Sequence, residues 1–137
     1  MADTVGIVIT GASGRMGQIL IETIMQSDAM HLAGAIEISG HDWVGRDVGE
    51  AMGSAAVGIT VTDDAAAAFS KSNAVIDFTI PQATVIFSEL AAEAGVAHII
   101  GTTGFELDHL SQIAKSAQKI PIVRAGNMSL GVNLLVK

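Results

Sequence analysis

The chain has 137 residues, half of them apolar and 15% charged, with a mean hydropathy of +0.51. That length suits one domain, and the composition excludes intrinsic disorder, which requires low hydrophobicity and high charge. Seven basic against fourteen acidic residues, with no cysteine, exclude a counterion-displacing nucleic-acid surface, a disulfide scaffold and a thiolate metal site.

Val5–Thr10 is a near-continuous apolar run, the pattern of a strand buried on both faces. It meets Gly11-Ala-Ser-Gly-Arg-Met-Gly17, after which Met16, Ile19, Leu20, Thr23 and Ile24 mark a helical stripe that ends near Ser27-Asp28. A second strand is expected from His31 to about Ile38. Residues 39–58 have no firm period and read as a long loop, functional or mobile, with one helical turn near Asp47–Met52. A short strand at Ile59–Thr62 follows, then Asp63 as the N-cap of a helix over Ala65–Phe69. Ala74–Phe78 is a buried strand. Thr79 and Pro81 open a helix that runs to Ala94 and stops at Gly95. Beyond it come a strand at Val96–Ile100, a tight loop at Gly101–Gly104, a helix over Asp108–Lys119, a strand at Ile120–Val123, a polar loop at Ala125–Ser129 and a helical start at Gly131–Lys137. This alternation predicts an α/β fold, a Rossmann-type doubly wound, mostly parallel sheet with helices on both faces.

The glycine loop carries the first chemistry. Gly11 permits the tight turn, Gly14 lets a pyrophosphate approach the backbone, and Gly17 lets the helix lie close on the sheet. Unpaired N–H groups at the helix start then face the anion, so a net charge of −7 is no obstacle. No Gly-Lys-Ser/Thr follows, which excludes a P-loop. Glu37, twenty residues beyond Gly17, ends the second strand where a carboxylate accepts from the adenosine ribose hydroxyls. A carboxylate repels a 2′-phosphate and Ile38 adds no positive charge, so NADH is favoured over NADPH. Arg15 is the cation nearest in sequence to reach such a phosphate, with His41 and Arg46 further off. The segments 78–81, 101–104 and 125–133 follow other strands and would face the same crevice.

These segments resemble the N-terminal domain of the 4-hydroxy-tetrahydrodipicolinate (dihydrodipicolinate) reductases. The resemblance rests on G-A-S-G-R-M-G at 11–17, A-I-E at 35–37, V-I-D-F-T-I-P at 75–81, I-G-T-T-G-F at 100–105 and A-G-N-M-S-L-G-V-N at 125–133. It implies a reductase of lysine and diaminopimelate biosynthesis that passes hydride from NADH or NADPH to a cyclic imine or enamine. It further implies that Gly11, Ala12, Ser13, Gly14, Arg15 and Met16 hold the pyrophosphate and that Glu37 holds the ribose. Gly101, Thr102, Thr103, Ala125, Gly126, Asn127 and Met128 would line the nicotinamide and its ribose, with Thr103 also at the substrate carboxylate. Phe78 either flanks the nicotinamide or is an ordinary buried aromatic at a strand end.

The family often carries arginine where this chain has Ile38 and Ile80, which weakens the case for NADP. Its histidine- and lysine-bearing catalytic segment has no counterpart in these residues, so no catalytic residue is assigned here. The expected division is a cofactor domain over 1–133 and, at 134–137, the start of a helix leading to a substrate and tetramerisation domain. The intact enzyme would then be a cytoplasmic homotetramer acting on a small dicarboxylate, with no membrane or nucleic-acid partner. This piece would be a monomer that binds the dinucleotide without turnover. Two alternatives stay open: another NAD(P)-dependent dehydrogenase for an amino-acid-like substrate, and a non-enzymatic dinucleotide sensor.

Other polar residues carry no chemistry at this level. His31, His41, His98 and His109 lack metal-ligand spacing, and His98 reads as a packed strand histidine. Asp77 is expected to bond loop amides, and Met16 and Met25 to fill the core.

Overall fold

The computed structural model describes residues 4–124. The strands are β1 (Val5–Thr10), β2 (Met30–Ile36), β3 (Val61–Thr62), β4 (Ala74–Asp77), β5 (Ala97–Ile100) and β6 (Ile122–Arg124). They form one all-parallel sheet in the order β3-β2-β1-β4-β5-β6. The order reverses between β1 and β4, the topological switch point where open α/β sheets bind ligands. The helices are α1 (Arg15–Met25), α2 (Val48–Ala51), α3 (Ala65–Phe69), α4 (Pro81–Ala94) and α5 (Leu107–Ser116).

β1 is buried on both faces because each face has its own core. Ile7 and Ile9 pack with Leu20, Ile21 and Ile24 of α1, whereas Val8 packs with Ala65, Ala68 and Phe69 of α3 and Ala91 of α4. The apolar stripe of α1 is rotated from its expected position. Leu20, Ile21 and Ile24 face the sheet, while Ile19 and Met25 are exposed, so Met25 is not core filler. The cause is Gly17. A Cβ there would lie 2.3 Å from the Gly11 carbonyl oxygen, so this side of the helix presses on the turn.

Residues 39–58 form an ordered flap rather than an open loop. Asp47 caps α2, and its carboxylate accepts from the N–H groups of Gly49, Glu50, Val57 and Gly58 at 2.8–3.2 Å. Burial pushes this carboxyl up, but the four amides together outweigh it and hold the group below its ordinary value. The bonds Gly45 N–H to Val61 O, Val61 N–H to Arg46 O and Val48 N–H to Ile59 O, each 2.8 Å, stitch the flap to the strand-forming segment. Val48 is buried, and Trp43 and Val44 pack against the α1-side core.

Two caps differ from expectation. Asp64, not Asp63, caps α3 by accepting from Ala67 N–H at 3.1 Å, while Asp63 accepts from Ser39 Oγ at 2.9 Å. Pro81 is the first residue of α4, and the preceding Ile80 is aliphatic and gives no side-chain cap, while the Thr79 hydroxyl donates to Asp77 instead. α5 starts one residue early, at Leu107, where Glu106 and His109 complete a reciprocal capping box.

Candidate functional site

The register aligns the carboxyl ends of the central strands. Thr10 lies opposite both Ile36 and Asp77, Asp77 opposite Ile100, and Ile100 opposite Arg124. The glycine loop, Glu37, the 78–80 segment and the 101–104 segment therefore leave the sheet along one edge. Residues 125–133, including the expected contacts Ala125, Gly126, Asn127 and Met128, lie outside the described residues, as does the expected helical start after them.

In the glycine loop, Gly11 takes φ +66°, a left-handed conformation that suits glycine. Ala12 N–H donates to Ile36 O at 3.1 Å, Ser13 N–H to Glu37 Oε2 at 2.8 Å, and Gly14 N–H to Gly11 O at 3.0 Å. Three of the expected pyrophosphate donors are thus already engaged within the fold. α1 has no side-chain cap, and the N–H groups of Arg15, Met16 and Gly17 meet no acceptor among the described residues. They are the open donors at a helix N-terminus, where the macrodipole also favours an anion.

Glu37 lies just beyond β2, nearly buried at 9% exposure. Its Oε2 accepts from Ser13 Oγ at 2.6 Å as well as from Ser13 N–H, and its Oε1 accepts from Ile38 N–H at 3.2 Å. Beside it runs a cleft of about 410 Å³ lined by Gly11, Glu37, Ile38, Asp63, Ile80 and Phe87, among others. The wall is mostly apolar, and its charged groups are Glu37 and Asp63, both acids. Ile38 and Ile80 are 74% and 60% exposed, so two unpartnered aliphatic side chains flank the cleft at its mouth. Such a wall suits a flat heterocycle. Arg15 is exposed and is not part of the cleft wall. A larger groove of about 580 Å³ lies between α4 and α5, away from this edge, lined by Glu89, Glu93, Lys115 and Lys119 among others.

At the far end of the edge, Phe78 and Gly101 are fitted to each other. A Cβ at position 101 would fall 1.9 Å from Phe78 Cε1, so the ring occupies the space that glycine leaves. Phe78 is half-buried and packs on the core, as a strand-end aromatic does. The two threonines separate. Thr102 is buried, and its hydroxyl accepts from Thr79 N–H at 3.0 Å and from Thr84 Oγ1 at 2.8 Å. Thr103 is exposed at the edge, with no side-chain partner recorded among the described residues.

Beneath these threonines lies a polar network the sequence did not disclose. Asp77 and His98 are fully buried, with His98 Nε2 3.0 Å from Asp77 Oδ2 and Ser88 Oγ 3.0 Å from His98 Nδ1. Asp77 Oδ1 accepts from Thr10 Oγ1 at 3.1 Å, Thr79 Oγ1 at 2.6 Å and Thr79 N–H at 3.1 Å. Burial pushes the Asp77 carboxyl up; the hydrogen bond and charge of His98, then the Thr79 hydroxyl, outweigh it and hold it below its ordinary value. Serine, histidine and aspartate are in contact, but Ser88 is buried at 0% exposure, so they brace the strand ends rather than attack a substrate. Asp77 does bond a loop amide, as expected, and the signal for the rest was a histidine in an otherwise apolar strand.

The model of the family described as "Dihydrodipicolinate reductase, N-terminus" matches residues 5–128. A 4-hydroxy-tetrahydrodipicolinate reductase of Ruegeria sp. (strain TM1040) is 63% identical over the whole chain, which covers 51% of that relative. The reductase of the same name from Rhizobium meliloti is 46% identical over 94% of the chain and 53% of its own length. The chain thus spans about half the length of these curated relatives. Among solved structures, a dipicolinate-bound dihydrodipicolinate reductase from Paenisporosarcina sp. TG-14 superposes with a TM-score of 0.75 at 24% identity, covering 96% of this chain and 51% of that one. An apo scyllo-inositol dehydrogenase from Lactobacillus casei superposes with a TM-score of 0.69 at 18% identity, covering 90% and 36%. Likeness at these identities shows the shared fold alone.

Proposed function

The chain belongs to the dihydrodipicolinate reductase family, matching its N-terminal part, and from that premise we propose that it binds a nicotinamide dinucleotide for reduction of 4-hydroxy-tetrahydrodipicolinate. The observation that carries this reading is Glu37, held beside an apolar cleft at the switch point, next to a helix start with open N–H groups. In it, the Arg15 and Met16 amides receive the pyrophosphate on the turn formed by Gly11, Ala12, Ser13 and Gly14. Glu37 accepts from the adenosine ribose, and Ile38 and Ile80 flank the adenine. Gly101, Thr102 and Thr103 form the nicotinamide end, together with Ala125, Gly126, Asn127 and Met128. Thr102 contributes through its backbone, because its hydroxyl is engaged inward. Thr103 is left to meet ribose or the substrate carboxylate. The chemistry supplied by the bound dinucleotide is hydride donation to a C=N or C=C bond.

The protein's task in this half is placement, with the proton donor and the main substrate contacts in the other half of the enzyme. Residues 1–133 form the cofactor unit in this reading and 134–137 lead out of it, toward a part that assembles a cytoplasmic homotetramer. NADH is preferred over NADPH, since two acids and two aliphatic side chains stand where a 2′-phosphate needs cations. Calorimetric titration of the chain tests this. Binding of NADH at least as tight as NADPH, weakened tenfold or more in Glu37→Ala, is the expected result. NADPH binding tenfold tighter than NADH refutes the preference, and absence of binding to either refutes the site. Imine reduction by the chain alone refutes the placement-only role.

A further inference from the structure

Glu37 and Ser13 are the last two members of a longer hydrogen-bonded series at the ribose end of the cleft. Trp43 N–H donates to His41 Nδ1 at 3.0 Å, and His41 Nε2 stands 3.1 Å from Ser13 Oγ. With its Nδ1 lone pair engaged, a neutral imidazole must carry its hydrogen on Nε2. His41 therefore donates to Ser13 Oγ, and Ser13 sends its one hydroxyl proton to Glu37 Oε2, 2.6 Å away. The series runs in one direction, from the Trp43 amide to the Glu37 carboxylate.

The flap makes this possible. Gly40 turns at φ +88°, the His41 N–H donates to Ile38 O at 3.1 Å, and the Trp43 ring packs edge-on to the imidazole with centroids 6.1 Å apart. The donors of this series and those on the Glu37 carboxylate are each directed at an internal acceptor: Trp43 N–H, His41 Nε2–H, the Ser13 hydroxyl and amide, and Ile38 N–H. What the site offers a ligand is acceptor capacity on a carboxylate. A 2′,3′-diol brings two donors and fits; a 2′-phosphate brings acceptors and negative charge and does not.

We propose that His41 is a specificity-determining residue of the ribose site, positioning Ser13 so that its proton is directed to Glu37 and is withheld from a 2′-phosphate. This rests on the dinucleotide reading above and adds to it a residue from the flap. Without the imidazole, the Ser13 hydroxyl is free to rotate and donate to a phosphate oxygen.

The test uses the adenosine half alone, ADP-ribose and 2′-phospho-ADP-ribose, titrated calorimetrically into the 137-residue chain and its His41→Ala and His41→Gln variants. The wild type prefers ADP-ribose by about tenfold or more. His41→Ala lowers that preference at least fivefold, because ADP-ribose weakens while the phosphorylated ligand does not. His41→Gln, whose amide N–H replaces Nε2–H, keeps most of the preference. A merely structural histidine weakens both ligands equally and is not rescued by glutamine; that outcome overturns the proposal, as does an unchanged preference in His41→Ala. If the wild type binds neither ligand, the dinucleotide reading falls and the proposal with it. Trp43 fluorescence and thermal unfolding of each variant report whether the flap stays closed.

Discussion

Gly14 and Gly17 sit three residues apart in one motif, yet they are glycines for different reasons, and alanine substitution separates the two. At Gly17 a Cβ would lie 2.3 Å from Gly11 O, 2.8 Å from Ala12 O and 2.9 Å from Ala12 C, all backbone atoms of the turn. Relief requires moving the helix off the strand end. Overpacking of this kind costs roughly 1–3 kcal/mol or more, against about 1 kcal/mol gained from replacing glycine inside a helix. A contact as short as 2.3 Å to backbone places Gly17→Ala at the upper end, a net loss of roughly 2 kcal/mol. For a chain of this size that lowers Tm by roughly 6–10 °C.

At Gly14 the backbone is extended, with φ −68° and ψ 164°, and a Cβ meets only Gly11 O at 3.3 Å. Alanine loses N-cap preference but gains from a less flexible unfolded chain, and these nearly offset, leaving a change under about 1 kcal/mol. The fold does not demand glycine at 14; in the proposed reading, the pyrophosphate lying on the turn does. Gly14→Ala is therefore expected to unfold within about 3 °C of wild type and to bind NADH at least tenfold more weakly, a change of about 1.4 kcal/mol. Circular dichroism without ligand and calorimetry with NADH check both halves. The reasoning is refuted if Gly14→Ala binds within twofold of wild type, or if it unfolds as early as Gly17→Ala.

Gly101→Ala drives its methyl into the Phe78 ring and is expected to lower stability by roughly 1–3 kcal/mol, with Phe78→Ala on top of it costing less than it does in wild type. A double-mutant cycle by urea unfolding measures the coupling, and simple additivity disproves the fit. Asp77→Ala strands His98, Thr10 and Thr79 and should cost about 3 kcal/mol or more, as loss of one partner of a buried pair does; a loss below about 1 kcal/mol in urea unfolding contradicts this. Because the folded Asp77 carboxyl is held below its ordinary value of 3.8, its stabilisation is complete above that pH and is lost as pH falls through the lower folded value. Wild-type unfolding should therefore steepen below pH 3.8, and the part due to Asp77 should be missing in the alanine variant. Asp47→Ala leaves four amides without their acceptor, so amide exchange at Val57 and Gly58 should accelerate and Trp43 emission should shift to the red; protected amides in this variant exclude Asp47 as the flap's anchor.

Much of the fold was legible because its signals are local. Val5–Thr10 is a near-continuous apolar run, since a strand covered by helices on both sides needs apolar residues on both sides. Pro81 and Gly95 mark where α4 starts and stops through backbone constraints that no tertiary contact has to supply. The glycine loop and Glu37 were readable for the same reason: a tight turn, a helix start and a strand-end acid follow one another along the chain. Residue identity also carried the aliphatic pair Ile38 and Ile80.

Tertiary structure decided which polar atoms are already engaged. Ala12, Ser13 and Gly14 look alike as loop amides in sequence, yet all three donate within the fold, which leaves Arg15, Met16 and Gly17 open. Thr102 and Thr103 are adjacent and chemically identical, but β5 ends so that one hydroxyl turns down toward Thr79 and Thr84 and the other faces out. His98 with Asp77, Asp47 with Val57 and His41 with Ser13 lie 10–28 residues apart in the chain. Hydrogen bonds are short and directional, and periodicity does not encode which distant donor meets which acceptor. Along this chain, sequence order placed the loops at one edge; only the packing of β1, β2, β4 and β5 against the flap and α4 settled which of their groups remain for a ligand.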